Sequence, residues 1–146
     1  MTKQLLNSLL SQQQTTNGFT LNQVSRENIS MRLNPQTASV GFIYRHIGET
    51  IHLLATFLGE TPQVHNTTMG QPDAGQGNNV EESHKILADG IALLQKLIDT
   101  HPDEWWLEII DTPFFGRVNR LRLFSHILYH NAHHTGQISL TLAKGA

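Results

Sequence analysis

Between residues 37 and 58 the apolar side chains Val40, Ile43, Tyr44, Ile47, Ile51, Leu54 and Leu58 recur at intervals of three and four. That period places them on one face of an α-helix of about six turns, a face that must be buried against other helices. Asn34 followed by Pro35 reads as the N-cap and first position of this helix, and Gly59 with Pro62 just beyond reads as its stop. Three more segments share the period. Leu5, Leu6, Leu9 and Leu10 open the chain, and Leu21 and Val24 either extend that helix or begin a new turn. Ile86, Leu87, Ile91, Leu94, Leu97 and Ile98 mark a helix from about Val80 to Asp99, ended by His101-Pro102. A last helix runs from about Asn119 to Leu142. Strand-like alternation is missing throughout. Residues 60–79, rich in Gly, Pro and Asn, read as a long loop of the kind that is mobile or functional. The segment 103–117, with Trp105, Trp106, Phe114 and Phe115 around Pro113 and Gly116, reads as an aromatic loop packed over one end. The expectation is one all-α domain over residues 1–146, an antiparallel four-helix bundle.

Composition narrows the chemistry. A net charge of −2 gives no field that would gather nucleic acid or an anionic membrane. The segment MTKQLLNSLLSQQQ is neither a leader nor a membrane span, so a cytoplasmic address is expected. With no cysteine, thiolate metal sites and cysteine nucleophiles are excluded, and metal chemistry has to run through imidazole and oxygen. The nine histidines therefore carry most of the information.

The last helix contains SHILYHNAHHTGQISL. His126, His130 and His134 stand four apart, each turned about 40° from the one before and about 6 Å further along. An i, i+4 pair of imidazoles is the usual way for one helix to offer two nitrogens to one ion. A third ligand has to come from elsewhere, and His46 lies mid-helix on a face that should point inward, among Phe42, Ile43, Ile47 and Thr50. His52 is turned about 120° from His46 and is left out, while His65, His84 and His101 read as surface. His133 stands beside the pair, either behind a ligand or facing a second subunit.

With His46 and HNAHHTGQI in view, the chain resembles the DinB/YfiT-like family of four-helix metal proteins over nearly its whole length. The resemblance implies an up-down-down-up bundle, metal ligands at His46, His130 and His134, and a homodimer. The bound ion would be a divalent transition metal, zinc or nickel first, with water in the remaining positions. It also implies a metal-dependent transferase acting on a small thiol and an electrophilic substrate, or an isomerase dependent on a small thiol, with a metal-dependent hydrolase as the other enzyme class. One position departs from the pattern, since Thr135 stands where such proteins often carry arginine. The residues themselves agree with an open three-imidazole site, in which Glu49, one turn beyond His46, is the candidate proton acceptor or supporting partner. Gln137 either orients a ligand or packs, and Gly136 suggests the close approach of another helix. The alternatives are a metal-binding stress-response module without catalysis, and a metal-free helical dimer whose histidines only pack.

Overall fold

In the computed structural model, which describes residues 1–146, the second long helix begins later than its sequence suggests. Asn34 spends its side chain on a local turn, accepting from the backbone N–H of Gln36 at 2.9 Å. Ser39 is the N-cap instead, its hydroxyl accepting from the Phe42 N–H at 3.2 Å. The chain runs α1 (Thr2–Leu21), α2 (Val40–Thr56), α3 (Val80–Thr100), a short α4 (Asp103–Leu107), β1 (Ile109–Thr112), β2 (Gly116–Asn119) and α5 (Arg120–Lys144). It is mostly helical, and none of its helices is long and apolar enough to cross a membrane.

The segment expected as an aromatic loop is instead α4 and a two-stranded antiparallel hairpin, in register from Ile109 opposite Asn119 to Thr112 opposite Gly116. The strands are only four residues long, too short for an alternation to register in the sequence. Gly116 takes the positive φ (63°) that closes the turn. Only one of the four aromatics goes fully inward: Trp106 is buried against Phe124, while Phe114 and Phe115 stay exposed.

Helix α2 is the axis of the molecule, with 14 of its 17 residues buried. Its contacts with α3 advance together along both helices. Arg45 bonds Glu82, a Cβ at Gly48 would meet Ile86 and Leu87, and one at Gly90 would meet Ile51, so α2 and α3 run in the same sense. Against α5 the order reverses: Val40 and Ile43 cluster with Ile138, and Leu54 with Leu123 and Ile127. Helix α1 opposes α3, pairing Lys3 with Asp99 and Asn7 with Gln95.

The core falls into two parts. Twelve residues, including Leu6, Leu10, Leu54, Leu97, Trp106 and Phe124, form the larger cluster. Val40, Ile43, Tyr44, Ile47 and Ile138 form a smaller one toward the start of α2.

The loop before α3 is strapped down. Half-buried Asp73 accepts from the Ser39 N–H at 2.8 Å, from its hydroxyl at 2.7 Å and from Arg32 at 2.8 Å. Gly77 lies so close to Gly41 that a Cβ there would stand 2.0 Å from the Gly41 carbonyl carbon.

The two mid-helix glycines differ in kind. A Cβ at Gly48 would come within 2.9 Å of both Ile86 and the Leu87 nitrogen, which sets the α2–α3 spacing. Gly136, expected at a helix contact, has open space around it. Gly136→Ala should therefore raise stability by up to about 1 kcal/mol through helix propensity alone. Gly48→Ala should lower it by about 1–3 kcal/mol through overpacking. Urea midpoints of the two variants are expected to move in opposite directions.

Candidate metal centre

The reversed packing of α2 against α5 sets one mid-helix residue of α2 opposite two consecutive turns of α5. His46 is the only residue between Val40 and His52 that is half-buried; the others are buried. It faces His130, with Nε2 to Nε2 at 3.0 Å. Ring centroids lie 4.9 Å apart for His46–His130, 4.7 Å for His46–His134 and 4.3 Å for His130–His134. One ring nitrogen from each lies within 4.8 Å of the other two. For comparison, two nitrogens about 2.1 Å from one tetrahedral ion lie about 3.4 Å apart.

The outward nitrogens explain why the inward ones converge. His46 Nδ1 lies 3.1 Å from the Thr68 hydroxyl, which itself donates to Glu49 at 2.8 Å. Thr68 oxygen therefore accepts from His46, fixing the proton on Nδ1 and leaving the Nε2 lone pair free. His134 Nδ1 lies 2.6 Å from Gln137 Oε1, which can only accept, so the same tautomer follows. His130 is the exception. With His46 Nε2 an acceptor, His130 Nε2 must donate to it, and His130 Nδ1 is left buried without a partner. The neighbouring Asn131 Oδ1 is also buried and unpaired. Its orientation is set from α1: Gln13 donates to the Leu128 carbonyl, so its own oxygen accepts from Asn131 Nδ2 at 3.1 Å. A cation among the three Nε2 atoms would displace the proton of His130 to Nδ1, beside the unpaired Asn131 oxygen. The donor set thus fits a borderline divalent ion, and the two unpaired atoms are those that such an ion would reconcile.

Glu49 sits behind this arrangement. Its side chain is fully buried and accepts from Arg45 Nε at 2.7 Å, and from the Thr67 N–H, Thr67 hydroxyl and Thr68 hydroxyl at 2.8 Å each. Four donors occupy the four lone-pair directions of a carboxylate. Burial pushes its pKa up, but the bonds from Thr67, Arg45 and Thr68 outweigh that and hold it below the ordinary range. Glu49 therefore reaches His46 through Thr68, and no lone pair is left over to take a proton from a substrate. Arg45 in turn bonds Glu82 of α3 at 3.0 Å.

The other histidines separate from the three. His126 lies 6.3 Å from His130 by ring centroid, under Phe115. His133 is exposed, stacks on Tyr129 with centroids 6.1 Å apart, stands edge-on to the His134 ring at 5.0 Å and reaches Gln137 at 3.5 Å. His52 is buried in α2 and bonds the Ile86 carbonyl at 2.9 Å. His84 is exposed, as its sequence position suggests, and its Nδ1 meets the Tyr44 hydroxyl at 2.8 Å. His101 stacks on Trp105 with centroids 3.7 Å apart. Thr135 is buried and bonds the Asn131 carbonyl at 2.7 Å. Thr67 and Thr68 had no spacing or motif to single them out, because only the folded loop brings them to the histidines, while Asn131 stood in the HNAHHTGQI run and only the fold shows that Gln13 of α1 orients its amide.

Burial, followed by proximity to His134, pushes the His46 pKa down to about 4, against a smaller opposing pull from Glu49. Burial and the neighbouring His134, His46 and His126 push His130 down to about 3. His134 is lowered as well, again by burial first. All three are neutral at pH 7, with free lone pairs.

The consequence for the metal-free protein has a definite sign. The folded state resists protonation of these rings, and the unfolded chain takes up protons near 6.5. Stability is therefore complete above pH 6.5 and falls as the pH drops toward about 4 and then 3. Chemical denaturation at pH 7, 6 and 5 should show this decline. The neutral variant His46→Gln should flatten it relative to wild type.

Known proteins bear on this geometry in two ways. The family model described as the DinB superfamily matches residues 9–138. Among solved structures, a conserved protein from Enterococcus faecalis superposes with a TM-score of 0.71 at 18% identity, covering 97% of both chains. A DinB-like protein from Bacillus cereus gives a TM-score of 0.70 at 18% identity, over 97% of this chain and 92% of its own. At that identity these two show likeness of fold. No curated protein matches the chain.

Proposed function

Since the chain belongs to the DinB superfamily, we propose that His46, His130 and His134 hold one divalent transition ion, zinc or nickel first, in a transferase site for a small thiol. The observation that carries this reading is the convergence of three neutral imidazoles whose outward nitrogens face hydrogen-bond partners or, at His130, an unpaired acceptor. A three-imidazole ion keeps an open position and favours the anionic form of a thiol or water bound there. The transfer forms one bond from sulfur to the electrophile and breaks the bond to its leaving group, which departs with the electron pair while the thiol proton passes to solvent. The protein's own part is orientation. Thr68 and Gln137 hold two rings in the required tautomer, and Glu49 fixes Thr68. The helix senses support the up-down-down-up bundle that sets α2 against α5. Leu5 and Leu9 on α1 and Tyr129 on α5, all exposed, support pairing with a second copy. Light scattering should then give twice the chain mass, and a Leu9→Asp variant should run as a monomer.

Metal content of untagged protein is the decisive measurement. About one ion per chain is expected, lost in His130→Ala. Thr68→Val should weaken affinity roughly 10–100-fold, the usual effect of removing a ligand's outer partner, and Thr68→Ser should restore it. Failure to take up zinc, nickel or manganese would end the metal reading. An ion bound without turnover of any thiol and electrophile would leave a metal-stabilised module in place of an enzyme.

A further inference from the structure

Where α1, α2, α3 and α5 meet, the bundle holds a cavity of about 320 Å³, and none of the three histidines of the metal centre lies in its wall. Leu21, Ile47, Leu87 and Ile91 supply apolar surface. The volume is at the lower end of those that take one small molecule, and such sites pair an apolar wall with a few placed polar groups.

The polar groups come mainly from α1. Along that helix Leu6, Leu10, Gln13, Asn17 and Leu21 follow one another at intervals of three and four, so they share the face turned into the bundle. Leu6 and Leu10 belong to the larger core cluster. At Gln13 and Asn17 the stripe changes from leucine to amide, and the two amides are used differently. Gln13 joins α1 to α5: its nitrogen donates to the Leu128 carbonyl, and its oxygen accepts from Asn131 Nδ2 at 3.1 Å. Asn17 is only 9% exposed, lines the cavity, and makes no side-chain hydrogen bond with the protein. A buried amide without a protein partner opposes folding, and asparagine is a weak helix former. A leucine at 17 would continue the stripe and favour the fold on both counts. Gln14 and Asn22, exposed on the same helix, add two more amides to the cavity wall, again without side-chain partners in the protein.

We infer that this cavity binds a small molecule whose apolar body rests on Leu21, Ile47, Leu87 and Ile91 and whose amide or lactam group pairs with Asn17. A carboxamide presents an N–H donor beside a carbonyl acceptor. Its complement is a group with an acceptor and a donor at the same spacing in one plane, which a primary amide or a lactam supplies. The site is separate from the three histidines and does not depend on the metal reading.

The test titrates the full chain with benzamide and with acetophenone, which keeps the ring and carbonyl but carries a methyl in place of the donor. Binding is followed in the backbone amide resonances of residues 13–22 and 84–91 and in the Asn17 side-chain amide. Benzamide should shift these resonances and bind roughly threefold to tenfold more tightly than acetophenone, the worth of one hydrogen bond. Asn17→Leu should remove the difference between the two probes and raise the urea midpoint. Equal binding of the two probes to wild type, no shift of these resonances up to the solubility limit, or a benzamide preference that survives Asn17→Leu would overturn the inference. A lower urea midpoint for Asn17→Leu would overturn it too, because the amide would then be serving the fold.

Discussion

A single buried carboxylate ties together α2, α3 and the loop that joins them. Glu49 is fully buried on α2, and its charge persists there because four donors surround it. Two of those donors belong to Thr67 and one to Thr68, so the long loop is drawn onto α2. The fourth belongs to Arg45, whose other end bonds α3. An uncompensated buried charge is among the costliest groups a fold can carry, so the loop's position follows from the charge. Once the loop is there, Thr68 meets His46 and fixes which nitrogen faces inward. The Asp73 contacts with Ser39 and Arg32 repeat the device further along the same loop and decide where α2 begins.

Each histidine is thereby governed by a different element. His46 answers to the loop, His134 to its own helix through Gln137, and His130 sits beside an asparagine oriented from α1. The three side chains come from only two helices, but the protonation pattern of their rings depends on nearly the whole bundle. Neutral rings packed this close are stable only where burial opposes protonation, which the apolar surroundings of α2 and α5 supply.

Much of this was legible in the sequence, for reasons that can be stated. The four long helices announced themselves because each carries apolar residues at intervals of three and four, over several turns in α2, α3 and α5 and about two in α1. His130 and His134 announced themselves because i, i+4 spacing fixes their relation whatever the tertiary structure. His46 needed the further knowledge that its face of α2 turns inward. What stayed hidden has a common cause. Thr67, Thr68, Asp73 and Asn131 act through contacts between segments distant in sequence, and a polar residue in a Gly- and Asn-rich loop looks the same whether or not a buried carboxylate awaits it. Ser39 was masked by the stronger local pattern of Asn34-Pro35, since the bonds that select it come from Asp73, 34 residues away. The hairpin at 109–119 is too short for periodicity to outweigh its aromatic and proline content. Glu49 was noticed for its distance from His46, but its role comes from its burial, and spacing does not encode that.

The division of the core into a cluster of twelve and a cluster of five gives the molecule two ends of unequal cohesion. The smaller cluster lies at the end that carries the cavity, where polar ties from Asp73 and Glu49 substitute for apolar mass. Cooperative opening units in proteins follow this kind of partition, with the sparsely packed portion parting at a free energy below that of global unfolding. Amide protons at the beginning of α2 and in the last turns of α5 will then exchange through such partial openings, while those around Trp106 and Phe124 wait for the whole chain to unfold. The bundle can thus loosen at one end while the other stays closed.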